Sequence, residues 1–496
     1  MFDIAGIFTL SNIFFNFLGV VIGIVFGATP GINIAMTVAL FLPFTFAMDP
    51  ITSFSLLLGI YAGGTYGGSI TAILIRTPGT PAAAATVLDG YPMAQQGRAA
   101  EALSIAAIAS FIGGIFSCGV LIILASRLAK VALVFGPAEY FAIGVFGLSI
   151  VASLSTDDFI KGFIAAGLGL LLATIGMDPI TGSIRLTFGS RDMIGGIEFI
   201  PVLIGLFAVA EVMLKLEEIF RGKAVGNVVS VSGKMASLKI WKAHAINVIR
   251  SSIIGVIVGI IPATGGGTAS WIAYNETKRA SKNKALFGKG APEGVVAAEA
   301  ANNAVTGGAL VPLLTLGIPG DVVTAVILGA FLIHGISPGP ELFRQHSHVV
   351  TGIYAMLMLA NVFMLIIGLA GIRMFTQILK IPTNILMPLV LVICLVGAYA
   401  SNLSIFNMQV ALVIGVIGYI LNKANFPVAP ILLGVILEPI VESNFRRAIS
   451  MSHGSFSIFL RPISLTFLVI SLSAFLFPIL SKQYGKYKER KSERTA

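Results

Sequence analysis

The feature that most constrains this chain is a succession of long apolar windows with little sequence between them. They lie near 12–27, 32–48, 54–75, 102–125, 131–153, 160–177, 194–214, 248–262, 304–333, 350–371, 385–400, 406–421, 427–441 and 463–481. A helix that crosses the hydrocarbon core needs ~20 predominantly apolar residues, so these windows predict about 11–13 transmembrane helices plus re-entrant or broken ones. A β-barrel would show ~10-residue segments of alternating polarity instead. The expected fold is therefore an all-α polytopic membrane protein. Composition closes the soluble alternative: 11% of the 496 residues are charged, less than half of the roughly 25% usual in soluble domains.

Cys118 and Cys394 allow at most one disulfide and no thiolate metal site. His244, His334, His346, His348 and His453 stand at no carboxylate spacing that suggests zinc. Met1 to Ser11 lacks a basic stretch, and no small-residue cleavage site follows, so the first segment is expected to stay in the mature protein.

The formal net charge of +10 raises the question of nucleic acid, and its placement answers against it. Lys215, Arg221, Lys223, Lys234, Lys239, Lys242 and Arg250 crowd the only long polar linker. Lys278, Arg279, Lys282, Lys284 and Lys289 form a second group, and Lys482, Lys486, Lys488, Arg490, Lys491 and Arg494 a third. No Lys or Arg precedes Arg76. The positive-inside rule places all three groups in the cytoplasm, with the N-terminus outside and the C-terminus inside.

The linker also separates two similar halves. Gly23 to Gly31 (GIVFGATPG) is matched by Gly259 to Gly267 (GIIPATGGG). Gly67-Gly68 leads into Thr77-Pro78-Gly79, as Gly307-Gly308 leads into Ile318-Pro319-Gly320. Phe199 to Gly205 echoes Val428 to Gly434. With residues 1 and 49 outside and 250 and 278–289 inside, equivalent parts face opposite sides, which is an inverted repeat. The expected layout is a first transmembrane repeat over 1–216, a basic cytoplasmic linker over 217–247, a second repeat over 248–445, and an extra helix with a basic tail over 446–496.

Pro and Gly inside an apolar span free backbone groups at several kcal/mol each in hydrocarbon, and such breaks survive only against protein or a water-filled cavity. Paired breaks in corresponding segments point to a transporter's binding site. Half-helix N-termini suit an anionic substrate, and unwound carbonyls suit a cation. The alternative, that single glycines only let helices pack closely, does not explain Pro-Gly breaks repeated in both halves. Candidate substrate-binding residues are Thr29, Asn33, Ser69, Arg76, Thr77, Gly79, Thr80, Asn302, Thr306 and Gly320. Asn303, Thr306 and Asp321, with carbonyls near Gly317, are the candidate cation ligands.

Arg76 and Asp321 read as ionisable residues inside spans, which are functional by default. Asp89, Glu101, Glu293 and Glu299 read as solvated loop or helix-end charges. His334 reads as structural or a rim donor, and Trp241 and Trp271 as interface anchors. No nucleophile–base pair and no phosphate-binding glycine loop is present, which disfavours an enzyme. An anion channel shares the broken-helix signature, but a two-fold repeat fits alternating access better.

At these residues the chain resembles the large membrane subunit of tripartite tricarboxylate transporters, the TctA family. Gly63 to Pro92 (GGTYGGSITAILIRTPGTPAAAATVLDGYP) carries one part of the resemblance. Phe287 to Val295 (FGKGAPEGV), Glu299-Ala-Ala-Asn-Asn303, Gly317 to Gly320 and His334 to Pro340 (HGISPGP) carry the rest. It spans roughly 12–445. It implies an inner-membrane secondary transporter driven by Na+ or H+, with no other cofactor. A periplasmic TctC-like solute-binding protein would deliver a citrate-like di- or tricarboxylate, and a small TctB-like membrane subunit would associate. Two positions depart from the family pattern: Arg76 stands where Asn is usual, and Ala263 where a glycine commonly follows the proline.

Overall fold

A computed structural model describes residues 4–29, 32–154, 159–221, 229–262, 264–378 and 383–476. Pro30, Gly31, Ala263 and the basic tail over 482–494 lie outside the described residues. The first half contains α1 (Leu10–Gly27), α2 (Ile34–Phe41), α3 (Pro50–Leu74), α4 (Ala84–Met93) and α5 (Ala99–Ala132). It continues through α6 (Pro137–Leu154), α7 (Phe159–Ala173) and α8 (Phe199–Phe220). The second half holds α9 (Leu238–Ile260), α10 (Gly265–Ala280), α11 (Pro292–Leu316) and α12 (Val322–Ile333). After these come α13 (Ser347–Ala370), α14 (Thr383–Ala400), α15 (Ile405–Lys423), α16 (Ala429–Met451) and α17 (Pro462–Leu476). Seven helices are long and apolar enough to cross a membrane by length and composition, and shorter apolar ones accompany them among the described residues. The chain is an all-α polytopic membrane protein, and its described strands are a single two-residue pair, Gly176–Met177 with Ile184–Arg185.

Local sequence sets the helix ends. Asp49 caps α3 by accepting from the backbone amides of Ile51 and Thr52, with Pro50 in the first turn, where its missing N–H is not needed. α11 also starts on a proline, Pro292, and stops at Gly317 with φ +73, a left-handed stop that glycine takes without strain.

Small residues set the packing. Glycines 19, 23 and 27 of α1 press on the backbone of Leu56, Ile60 and Gly64 in α3, while glycines 59, 63 and 67 press back on Asn16, Val20 and Ile24. A Cβ at Gly67 would stand 2.7 Å from the Ile24 carbonyl, and one at Gly308 2.7 Å from the Val256 carbonyl. The repeat is thus visible contact by contact. The register differs by four residues from the one the motifs suggest, Gly27 and not Gly23 being the counterpart of Gly259. Gly23 on Ile60 corresponds to Gly255 on Ala301, and Gly27 on Gly64 corresponds to Gly259 on Val305. On this correspondence Tyr61 is the counterpart of Asn302, Thr65 of Thr306, and Thr80 of Asp321.

The equivalent helices run antiparallel. Ser53, at the start of α3, bonds His334 Nε2 at 2.8 Å, just after α12 ends. Asp89 on α4, whose neighbour Gly90 lies against Ile73 in the last turn of α3, bonds the amides of Gly288, Gly290 and Ala291 that precede α11.

The chain divides into two compact units, Met1–Leu133 with Leu203–Tyr419, and Val134–Val202 with Ile420–Ala496. The first contains both hairpins and their core. Part of the linker belongs to it: Val229 N donates to Leu74 O at 2.9 Å, and Val229, Val231 and Trp241 pack on the buried cluster around Ile73 and Met93. Trp241 is therefore a packing residue, whereas Trp271 is 40% exposed. In the second unit Gly169 of α7 packs on Ile431 and Gly434 of α16. Phe141 meets Phe445 and Phe459 there, with ring centroids 5.1 and 5.0 Å away. Cys118 and Cys394 are free and buried.

Candidate functional site

Two re-entrant hairpins build the centre of the first unit. After α3 the chain reverses and runs back until Gly79 N donates to Gly68 O at 3.2 Å. Gly79 there fits against the Gly27 carbonyl with no room for a Cβ. After α11 the same reversal brings Gly320 against Ala309 and the Gly259 carbonyl. Each reversal starts a new helix partway along the one it left: Pro81–Ala83 and α4 in the first half, α12 in the second. The interrupted ends of α1 and α9 start two more, α2 and α10.

Three of these starts meet. Gly265 approaches Asp321, a Cβ there standing 4.0 Å from the aspartate Cβ. Gly266 faces Asn302 Oδ1 and Ala82, and a Cβ on Gly267 would stand 3.7 Å from the Pro81 carbonyl oxygen. The hairpins touch directly as well: Tyr61 OH donates to Asp321 Oδ2 at 2.5 Å, and Asn302 Nδ2 donates to Thr65 O at 3.3 Å. Asp321 also caps α12, accepting from Thr324 N at 2.7 Å. α10 opens on three glycines with no side-chain cap, so its first-turn N–H groups have no protein acceptor of that kind. Thr80 is 3% exposed, and its Oγ1 is buried with no partner among the described residues. Uncapped N–H groups and a helix dipole favour an anion.

The expected site residues separate into groups. Thr80, Asn302, Gly79 and Gly320 line or shape this centre. Asn33 caps α2 through Met36 N at 2.7 Å. Thr29, Ser69 and Thr306 are buried and spend their hydroxyls on the carbonyls of Val25, Tyr66 and Asn303. Arg76 and Thr77 are exposed and follow the end of α3 at Leu74, so Arg76 stands in the reversal and not within a helix. It sits at the tip of the first reversal with φ +59, its guanidinium 5.9 Å from the Tyr91 ring centroid. The expected cation ligands have different partners: Asn303 bonds Ser110, Thr306 the Asn303 carbonyl, and Asp321 Tyr61 and Thr324. Among the described residues no group of three His, Cys, Asp or Glu could hold a metal ion.

Two carboxylates expected in solvent are buried. Asp89 and Glu299 have no exposed surface, 0% each. Asp89 is the tie between the two signature stretches, taking three amides at 2.8, 2.9 and 2.9 Å and the Tyr274 hydroxyl at 2.8 Å. Glu101 and Glu293 are half-buried. Tyr61 was not among the expected site residues. The repeat could have marked it, because Tyr61 stands four before Thr65 as Asn302 stands four before Thr306.

A polytopic α-helical protein with inverted halves and broken helices around one buried polar centre has the architecture of a membrane transporter. Residues 13–433 match the Tripartite tricarboxylate transporter TctA family, and the chain belongs to that family: it is a multi-pass transport protein of a system with further subunits. It is similar to the "Uncharacterized 52.8 kDa protein in TAR-I ttuC' 3'region" of Agrobacterium vitis, 39% identical over 470 residues, covering 95% of this chain and 93% of that one. It is also similar to the "Uncharacterized protein in TAR-II ttuC' 3'region" of the same organism, 37% identical over 227 residues, 46% of this chain and 94% of that one. No solved structure matches the chain.

Proposed function

We propose that this protein is the large permease subunit that takes up a di- or tricarboxylate of citrate type, driven by a Na+ or H+ gradient through alternating access of elevator type. A periplasmic solute-binding protein would deliver the carboxylate and a small membrane subunit would complete the assembly. Its place would be a bacterial inner membrane, N-terminus in the periplasm and C-terminus in the cytoplasm. The observation that carries the reading is the meeting of half-helix N-termini at Thr80, Gly265–Gly267 and Asp321, with Thr80 Oγ1 unpaired and α10 without a side-chain cap. Neutral hydroxyls and amides there recognise a carboxylate through hydrogen bonds. Asp321 adds an acceptor, which suits a substrate that also carries a hydroxyl. The two units each draw a block from both halves, the division that an elevator needs.

The test is uptake of labelled citrate and related acids into proteoliposomes containing the cognate small subunit and binding protein. Gly266→Ala places a methyl against Asn302 Oδ1 at the centre and is expected to lower uptake at least about tenfold while the protein stays folded. Wild-type uptake by that variant removes the centre from the pathway. Counterflow against a gradient separates a carrier from a channel, since a channel cannot exchange substrate uphill.

A further inference from the structure

Glu299 is a buried carboxylate that the centre described above does not use. It lies one turn before Asn302 and Asn303 on α11. No Lys, Arg or His pairs with it among the described residues, and its side-chain partners are hydroxyls. Thr86, in the first turn of α4, donates to Oε1 at 2.5 Å, and Ser110 of α5 donates to Oε2 at 3.2 Å. Ser110 in turn accepts from Asn303 Nδ2 at 2.7 Å. That leaves Asn303 Oδ1, on a residue with 0% exposure, without a partner among the described residues.

Charge and coordination point the same way. An ionised side chain within a span costs about 2.5–3.5 kcal/mol on insertion scales, and such groups are paired. Two neutral hydroxyls do not cancel a negative charge, so the cluster lacks one positive charge. The side chains of the cluster present two carboxylate oxygens, two hydroxyl oxygens and one amide oxygen, from three helices. All are hard donors of the kind that hold hard cations. A proton would occupy one acceptor and leave the others as they are, whereas a cation engages the set.

We propose that Glu299, Thr86, Ser110 and Asn303 form a binding site for one Na+ between α4, α5 and α11. The use of that ion to drive uptake rests on the transport reading above; the binding itself does not. Thr86 belongs to the half-helix whose preceding residues, Pro81 and Ala82, touch Gly266 and Gly267. Asn303 adjoins Asn302. Filling the site therefore fixes two of the elements that line the substrate centre.

The test uses the purified full-length protein in detergent, with NaCl exchanged for choline chloride at constant ionic strength. Thermal unfolding and equilibrium binding of radioactive Na+ are the readouts. Wild type is expected to gain stability with Na+ in a saturable manner. Glu299→Gln and Ser110→Ala are each expected to raise the Na+ midpoint by about tenfold or more. Ser110→Ala keeps the carboxylate and removes one ligand, so it decides the matter if Glu299→Gln does not fold. A wild-type protein that binds no Na+ and is stabilised by acid instead overturns the site in favour of a proton. A Na+ response unchanged in both variants places the ion elsewhere and also overturns it. Carboxylate uptake measured on the same preparations keeps the two readings apart. Uptake without Na+ binding sinks this inference alone, and Na+ binding without uptake sinks the transport reading alone.

Discussion

Arg76 shows how a residue can be legible in identity and illegible in role. Beside Thr77-Pro78-Gly79 it reads as a fixed cation for the substrate, yet the structure leaves it exposed at a turn with φ +59. Asn is several-fold enriched in that left-handed region because its short side chain tolerates it, so the Asn expected there from the family resemblance would suit the backbone better than Arg. Arg76→Asn is therefore expected to leave stability unchanged or raise it by about 0.5 kcal/mol, within the range of a relaxed left-handed position. Carboxylate selectivity should not move; a flattened preference for higher anionic charge across a substrate panel would return Arg76 to the site. Asp89 is the converse case, a charge read as solvated that is itself buried and held by three backbone amides, two of them buried, and a hydroxyl. Local sequence cannot reveal this, since its partners lie about two hundred residues away. Asp89→Ala removes the acceptor of the Gly288, Gly290 and Ala291 amides; the last two are buried, and each orphaned buried donor costs about 1–3 kcal/mol. A loss of at least about 2 kcal/mol is expected in denaturant or thermal unfolding. Asp89→Asn keeps an oxygen for the amides and offers its NH2 to the Tyr274 oxygen, so it should recover most of that loss. Equal losses in both variants would show that charge, not hydrogen bonding, holds the tie.

At the scale of elements the breaks were readable and their meeting was not. Pro78-Gly79 and Pro319-Gly320 announce where helices must stop, because proline cannot continue them and the glycines fit where a Cβ does not. What periodicity could not give is which polar face of α3 meets α11, since α3 is buried along almost its whole length and offers no amphipathic stripe. The glycine contacts make the packing testable. Gly23→Ala puts a methyl 2.6 Å from Gly64 N, and Gly255→Ala puts one 2.7 Å from the Ala304 Cβ. Overpacking of this kind costs about 1–3 kcal/mol. Gly119→Ala on α5 meets nothing within 4 Å and should stabilise by about 0.5–1 kcal/mol through reduced backbone entropy. A destabilised Gly119→Ala with a neutral Gly23→Ala would contradict the α1–α3 packing. The loop after α7 carries a pH prediction. Asp178 accepts from the Thr181 hydroxyl and the Ile180 amide and pairs with Arg185 and Arg446, which together hold its carboxyl well below the usual carboxylate range. A depressed value stabilises above the unfolded carboxylate value of about 3.9 and is lost as pH falls below it. Asp178→Asn should therefore make the loop more protease-sensitive at pH 7, and the difference from wild type should shrink only below about pH 4.

For the whole molecule, the sequence carried the inverted repeat, but the compact units do not follow its boundary. Each unit takes one block from either half, Met1–Leu133 with Leu203–Tyr419 and Val134–Val202 with Ile420–Ala496. A linear reading divides a chain at its linker; burial divides this one where small residues let distant helices close, as at Gly205 against Ala411 and Gly169 against Ile431. The antiparallel course of α3 and α11 fixes one half relative to the other in the first unit, and by the positive-inside rule the basic loops are expected to face the cytoplasm. Gln96 donates to the Lys289 carbonyl at 2.8 Å, so α5 leaves from the level of the basic loop 281–291. If that loop is cytoplasmic, α5 crosses outward, α6 inward and α7 outward, which puts residues 174–198 outside and the linker after α8 inside. Both native cysteines are buried, 1% exposed each, so introduced thiols report cleanly. Ser183→Cys and Lys284→Cys stand on exposed loop positions. In intact cells a membrane-impermeant maleimide should label the first and spare the second, and both should react once the membrane is opened. Labelling of Lys284→Cys in intact cells would reverse the orientation. The inverted architecture would survive that result, because it rests on the antiparallel pairing of α3 with α11, but the positive-inside assignment of the three basic groups would not.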